Sequence, residues 1–146
     1  MLLFCDTEAY SEIDIKARGA AFYAAHASTE CTIFTYALEN ETVKCWDITH
    51  NPLMPIDLKQ YLIDEEITLV FHNVPFDRAI LKHCLGFDIP ITRFLDNAVK
   101  ALMLGLPASL GQLGEALGLP EEQAKLKDGR RLIAKFCKPR KVSKNN

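Results

Sequence analysis

The chain opens on Leu2-Leu3-Phe4-Cys5 and runs without a break into Asp6-Thr7-Glu8. A short apolar run of this kind reads as a buried strand, here Leu2 to Thr7. Residues two apart on a strand leave the same face, so Asp6 and Glu8 stand side by side at its end. Two neighbouring carboxylates repel each other. Either water solvates the strand end, or a divalent cation with oxygen ligands neutralises the pair. Any fold for this chain must therefore bury the strand and keep its acidic end open.

The later segments supply partners for that strand. Ser11 to Tyr23 mixes charge with small residues and has little β-character. Cys31–Leu38 is rich in β-branched and aromatic residues, and Thr42–Asp47 alternates; a polar turn at 39–41 joins them as a hairpin. Ile56–Ile63 has helical spacing, and Ile67–Phe71 is a strand. Asn73 is placed to cap a helix over Pro75–Leu85, with proline in its first turn and Gly86 ending it. Ile91–Leu95 reads as a strand. Helices follow over Asn97–Leu104, Leu110–Leu117 (with Ser109 as cap) and Gly129–Cys137. The order β-β-β-α-β-α-β-α-α-α predicts an α/β fold with a mixed sheet.

At 146 residues the chain is the size of one domain. The expected extent is 1–139, followed by a basic polar tail over 140–146. No apolar run approaches the roughly 18 residues that span a bilayer, so no membrane partner is expected. The start lacks a basic n-region and turns acidic at once, which predicts no signal peptide. Five widely spaced cysteines without a Cys-x-x-Cys fit reduced, packed thiols of a cytoplasmic protein better than disulfides or zinc. The net charge of -2 conceals a division: residues 125–146 hold nine Lys/Arg and one acid, and the first 124 hold eight bases and 18 acids. The basic end is either a solvated terminus or a contact for phosphates.

A second polar cluster lies in Phe71-His72-Asn73-Val74-Pro75-Phe76-Asp77. Asp77 falls in the first turn of a helix that follows a buried strand. There a carboxylate serves either the helix dipole or a site. Asn73 is equally a plain N-cap. His72 is either a structural histidine or a catalytic one. Asp96 closes the predicted fifth strand, where it either caps the next helix or joins the ligand-binding edge of the sheet.

Together, Asp6-x-Glu8 on the first strand and Asn73-x-x-Phe76-Asp77 at a strand-to-helix junction resemble the first two motifs of the DEDD (DnaQ-like) 3′–5′ exonucleases. The likeness extends over essentially the whole chain. The stretches 6–16, 24–30, Phe87–Leu106, Leu110–Pro120 and Lys127–Pro139 are similar to the exonuclease domain of phage-type family A DNA polymerases. The resemblance implies an RNase H-like α/β fold, a mixed sheet with flanking helices. It implies that Asp6, Glu8 and Asp77 are catalytic and hold two Mg²⁺ or Mn²⁺ ions. It sets Thr7, Asn73, Phe76 and Asp96 beside the substrate, the 3′ end of single-stranded DNA.

The family's third motif, Tyr-x-x-x-Asp or His-x-x-x-x-Asp, has no match after Asp96. Asp128 is preceded by Ala124 and Gln123 at those spacings. The sequence thus resembles an exonuclease domain truncated before its last helix, with a polymerase domain or the downstream helix on another chain as a partner. Apolar surface that this helix would cover is then expected to be exposed. Two other readings remain: a catalytically impaired nucleic-acid-binding fragment, and an RNA-directed nuclease of the same superfamily.

Overall fold

The computed structural model describes residues 1–120 and 129–139. At its centre is β1 (Leu2–Tyr10), flanked by β2 (Glu30–Leu38) on one side and β4 (Thr68–Phe71) on the other. β3 (Lys44–Asp47) and β5 (Phe94–Asp96) form the edges, giving the order β3-β2-β1-β4-β5. β1, β2 and β3 pair antiparallel, as the predicted hairpin requires. β1 with β4 and β4 with β5 are parallel. Parallel neighbours need a crossover on a sheet face. These are supplied by α2 (Ile56–Ile63) and α3 (Val74–His83).

Both crossover helices pack on the same core. Leu58 and Leu62 of α2 and Val74 and Leu81 of α3 meet Leu3, Phe34, Leu69 and Phe71 of the sheet. Leu3, Phe34, Leu58, Leu69 and Leu81 are fully buried. Burial of such a side chain contributes roughly 1.5–3 kcal/mol, so this layer dominates the stability of the sheet. A second cluster joins Ala9, Tyr23, Ala24, Cys31 and Ile80.

That cluster depends on a helix absent from the sequence reading, α1 (Ile15–Ala25), which packs against α3. Gly19 sits inside it at φ 78°, a conformation that breaks the helix in two. The apolar residues on either side of the break therefore share no single face, and periodicity fails to reveal them. Other boundaries also move. β1 continues to Tyr10, so Asp6 and Glu8 lie within the strand, not at its end. The predicted strand from Ile91 begins as a 3₁₀ turn, Ile91–Arg93, before β5.

The remaining helices are α4 (Asn97–Met103), α5 (Leu110–Ala116) and α6 (Gly129–Phe136). Ser109 stands at the N-cap of α5 but makes no side-chain capping bond. Among the described residues Phe4, Leu102, Met103 and Leu104 are exposed. No helix among the described residues is long and apolar enough to cross a membrane. The 140–146 tail and Asp128 lie outside the described residues.

Candidate active site

The acids gather where β1 outruns its parallel neighbour. β4 pairs with β1 only over Leu2–Phe4. Beyond Phe4 that edge of β1 has no strand beside it, and the first turn of α3 takes the place. The Thr7 N–H donates to Asp77 Oδ1 at 3.1 Å, and the Thr7 hydroxyl donates to the same oxygen at 2.6 Å. Asp6 and Glu8 leave the opposite face of the strand from Thr7. A β-bulge between Glu8 and Ala9 then shifts the register with β2.

Local chemistry delivers Asp77 to this point. β4 ends at Phe71, and the chain turns through Asn73, which adopts a left-handed φ of 77°. Asparagine tolerates this region better than most residues. The sequence expectation that the Asn73 side chain caps α3 is corrected: Asn73 occupies the N-cap position but makes no side-chain capping bond. The left-handed backbone does not aim its side chain at the helix amides as an extended N-cap does. Asp96 does that work from the neighbouring strand. Its carboxylate accepts from Asn73 N at 3.0 Å and Val74 N at 2.9 Å, and caps α4 through Ala98 N at 2.8 Å. Burial opposes the Asp96 charge, but the amides of Asn73, Ala98, Val74 and Val99 outweigh it and hold its carboxyl below the usual range.

Asp77 is in the contrary state. It is 2% exposed. Burial pushes its carboxyl up to about 7; the Thr7 hydroxyl and amide work against that rise, and the nearby Asp6 charge adds to it. Among the described residues no Lys, Arg or His forms an ion pair with it.

Glu8 faces a cleft of about 460 Å³ whose walls include Glu12, Tyr23, Phe76, Ile133 and Lys138. The Tyr23 and Phe76 rings lie 5.9 Å apart, and the Tyr23 hydroxyl donates to Ala9 O at 3.1 Å. Cys137, which follows α6, directs its thiol at Glu8 Oε2 at 3.7 Å. Burial and the Glu8 charge push that thiol up to about 11. A second cleft of about 500 Å³, on the far side of α3 beside Arg78, Lys82 and Phe94, contains none of the three acids.

Asp6, Glu8 and Asp77 thus share one region, with Thr7 between them and Phe76 in the cleft wall. Asn73 and Asp96 meet each other, in the turn that supports the region. His72 is a tether: its Nε2–H donates to Ala108 O at 2.7 Å, and its Nδ1 is buried without a partner. The Cys137 and Ile133 walls were missed in sequence, because nothing local links them to a strand more than a hundred residues earlier. The sequence signal was present only as the amphipathic run Leu132, Ile133, Phe136.

Hard carboxylate oxygens suit Mg²⁺ or Mn²⁺. A buried Asp77 charge without a basic partner, raised further by Asp6, is a place where a cation fits. Among the described residues, however, no three His, Cys, Asp or Glu side chains form a group that could hold a metal ion. Asp77 turns to Thr7 and Glu8 to Cys137, so the convergence of three acids expected from sequence is not reached by these side-chain positions.

The mixed sheet with its flanking helices resembles the fold of solved nuclease structures. The chain resembles Brucella melitensis NrnC with a TM-score of 0.60 at 18% identity, over 86% of this chain and 55% of that one. A structure of Brucella melitensis NrnC with bound Mg²⁺ aligns at TM-score 0.58 and 18% identity, over 90% of this chain and 62% of that one. The fold is RNase H-like. A family model of the DNA polymerase A type, described as 3′–5′ exonuclease, matches residues 5–142, and the chain belongs to that family. It is 28% identical over 144 residues to the DNA polymerase of Bacillus phage SP02, covering 99% of this chain and 22% of that polymerase. The chain thus spans about a fifth of the length of this relative, and a little over half of the NrnC chains.

Proposed function

We propose that the chain is a divalent-cation-dependent nuclease that removes nucleotides from the 3′ end of single-stranded DNA, as the proofreading part of a phage-type DNA polymerase. The observation that carries this reading is the buried Asp77 carboxylate, clasped to the strand that bears Asp6 and Glu8 and lacking a basic partner among the described residues.

Asp6, Glu8 and Asp77 would hold two Mg²⁺ or Mn²⁺ ions. Such ions lower the pKa of an attacking water and stabilise the in-line transition state. Asp6, on the central strand, would add its carboxylate to those of Glu8 and Asp77. Thr7 fixes the Asp77 carboxylate through two donors to one oxygen, which holds its orientation while the charge it carries changes. Phe76 and Tyr23 form an apolar wall for the terminal nucleotide. Water attacks the last phosphorus, and the bond to the 3′ oxygen of the preceding nucleotide breaks. A 5′-nucleotide leaves, and the shortened strand keeps a 3′ hydroxyl.

The test is digestion of a 5′-labelled single-stranded oligonucleotide with Mg²⁺ or Mn²⁺, beside Asp6→Ala. Shortening from the 3′ end that requires the cation and disappears in the variant is expected. A second reading, a nucleic-acid-binding domain without turnover, is favoured by one observation: the described acids do not form a three-membered group. A folded protein that binds the strand without shortening it would establish that alternative.

A further inference from the structure

The helix α6 lies beside the acid cleft yet faces largely outward. Ile133, together with Cys137, Lys138 and Pro139 just beyond the helix, lines the same cleft as Glu8 and Phe76. Leu132 and Phe136, one helical turn apart, remain 41% and 59% exposed. Arg131 and Lys135, also one turn apart, form a neighbouring basic stripe that Lys138 continues after the helix end. Lys135 Nζ stands 5.0 Å from the centre of the Phe136 ring. From Gly129 to Pro139 there are four Lys/Arg and no Asp or Glu, in a protein whose first 124 residues hold 18 acids and eight bases.

An exposed aromatic with a cation over it, set between an acid cleft and a basic stripe, matches what unpaired bases and their phosphates require. Bases stack on aromatic faces regardless of sequence, and basic side chains track the backbone. A protein partner would be served by the apolar stripe alone and has no need of a purely basic flank; charge complementarity selects a polyanion. A base-paired duplex hides its base faces within the stack and offers the ring no partner.

We infer that α6 is a single-strand contact: Phe136 stacks on a base of the strand, while Lys135 and Lys138 neutralise its phosphates on the way to the Glu8 cleft. This contact rests on the reading of the chain as a nuclease that takes single strands. It adds the element that selects an unpaired end.

The experiment is fluorescence anisotropy with labelled oligo(dT) in EDTA, using the whole chain, Phe136→Ala, Phe136→Trp and Lys135→Gln. Circular dichroism melts check that each variant is folded. Phe136→Ala should weaken Kd about fivefold or more, and Phe136→Trp should restore it. Lys135→Gln should make the log Kd against log salt slope shallower by about 0.7. Unlabelled blunt duplex should compete poorly.

Unchanged binding in folded Phe136→Ala overturns the inference, as does duplex that competes equally. So does a concentration-dependent dimer, lost in Phe136→Ala and blind to DNA, which would make the stripe a protein surface. The two readings fail separately. If digestion requires Asp6 but Phe136→Ala keeps the parental KM, only the α6 contact is wrong. If Asp6→Ala digests as well as its parent, the nuclease site itself is misassigned.

Discussion

The two bonds from Thr7 to Asp77 place a carboxylate where a strand would otherwise continue the sheet. Because Asp77 is raised to about 7 in the folded protein against 3.8 ordinarily, the fold binds its proton more tightly than the unfolded chain does. Without metal, stability should therefore be highest below about pH 4 with respect to this group, and fall as pH rises toward 7. Asp77→Asn can keep both Thr7 donors on its carbonyl oxygen. Its Tm should exceed the parent's at pH 8 and converge with it near pH 4, measured by thermal melts in EDTA. Mg²⁺ or Mn²⁺ should raise the parent Tm more at pH 8 than at pH 5, and should do so less in Asp77→Asn. At Asn73 the left-handed backbone sets a different rule. Asn73→Ala should cost roughly 1–2 kcal/mol in denaturant unfolding, whereas Asn73→Gly should not incur that backbone penalty. Asp6, Glu8 and Asp77 were readable as candidates because their spacing around a strand and a helix start is local. The Thr7 clasp spans 70 positions in the chain and leaves no local mark.

Strands, helices and turns follow the same division between local and distant causes. The five strands and the helices α2 to α6 announce themselves by apolar runs, periodicity and the punctuation of Gly and Pro. The helix α1 does not, because Gly19 divides it and its burial depends on packing against α3. The extension of β1 to Tyr10 was hidden for a related reason: polar residues within a strand look like its end until a neighbouring strand, β2, is seen to pair with them. One side chain binds several elements at once. The Arg93 guanidinium donates to the carbonyls of Tyr61, Leu62 and Ile67, closing the end of α2 against the entry to β4. Lysine offers one ammonium in place of this planar fork. Arg93→Lys should lose about 1–3 kcal/mol in denaturant unfolding, with an unchanged circular dichroism spectrum. Asp96→Ala should loosen the starts of α3 and α4 together, at about 1–2 kcal/mol for a lost cap. Because the Asp96 carboxyl is held low, its contribution is present at neutral pH and disappears only as pH falls below the ordinary carboxylate range.

Across the molecule, burial is concentrated in the sheet and the two crossover helices, while α6 is exposed along most of its length. Hydrogen exchange should reflect that gradient. Amides around Leu3, Phe34 and Leu69 should exchange only through global unfolding, and those of α6 through much cheaper local opening. Charge is distributed just as unevenly, with 18 of the 19 acids in the first 124 residues and nine of the 17 bases in the last 22. The composition of the chain alone revealed that polarity; it did not reveal that the basic helix lies at the mouth of the acid cleft. A practical consequence follows from the clasp between Thr7 and Asp77. Asp77→Ala would leave two Thr7 donors without their acceptor, and Asp77→Asn would change how the protein responds to acid. An inactive protein made at either variant would confound lost chemistry with a shifted strand or an altered melting curve. Asp6, exposed on that strand, is the better place for a catalytic control.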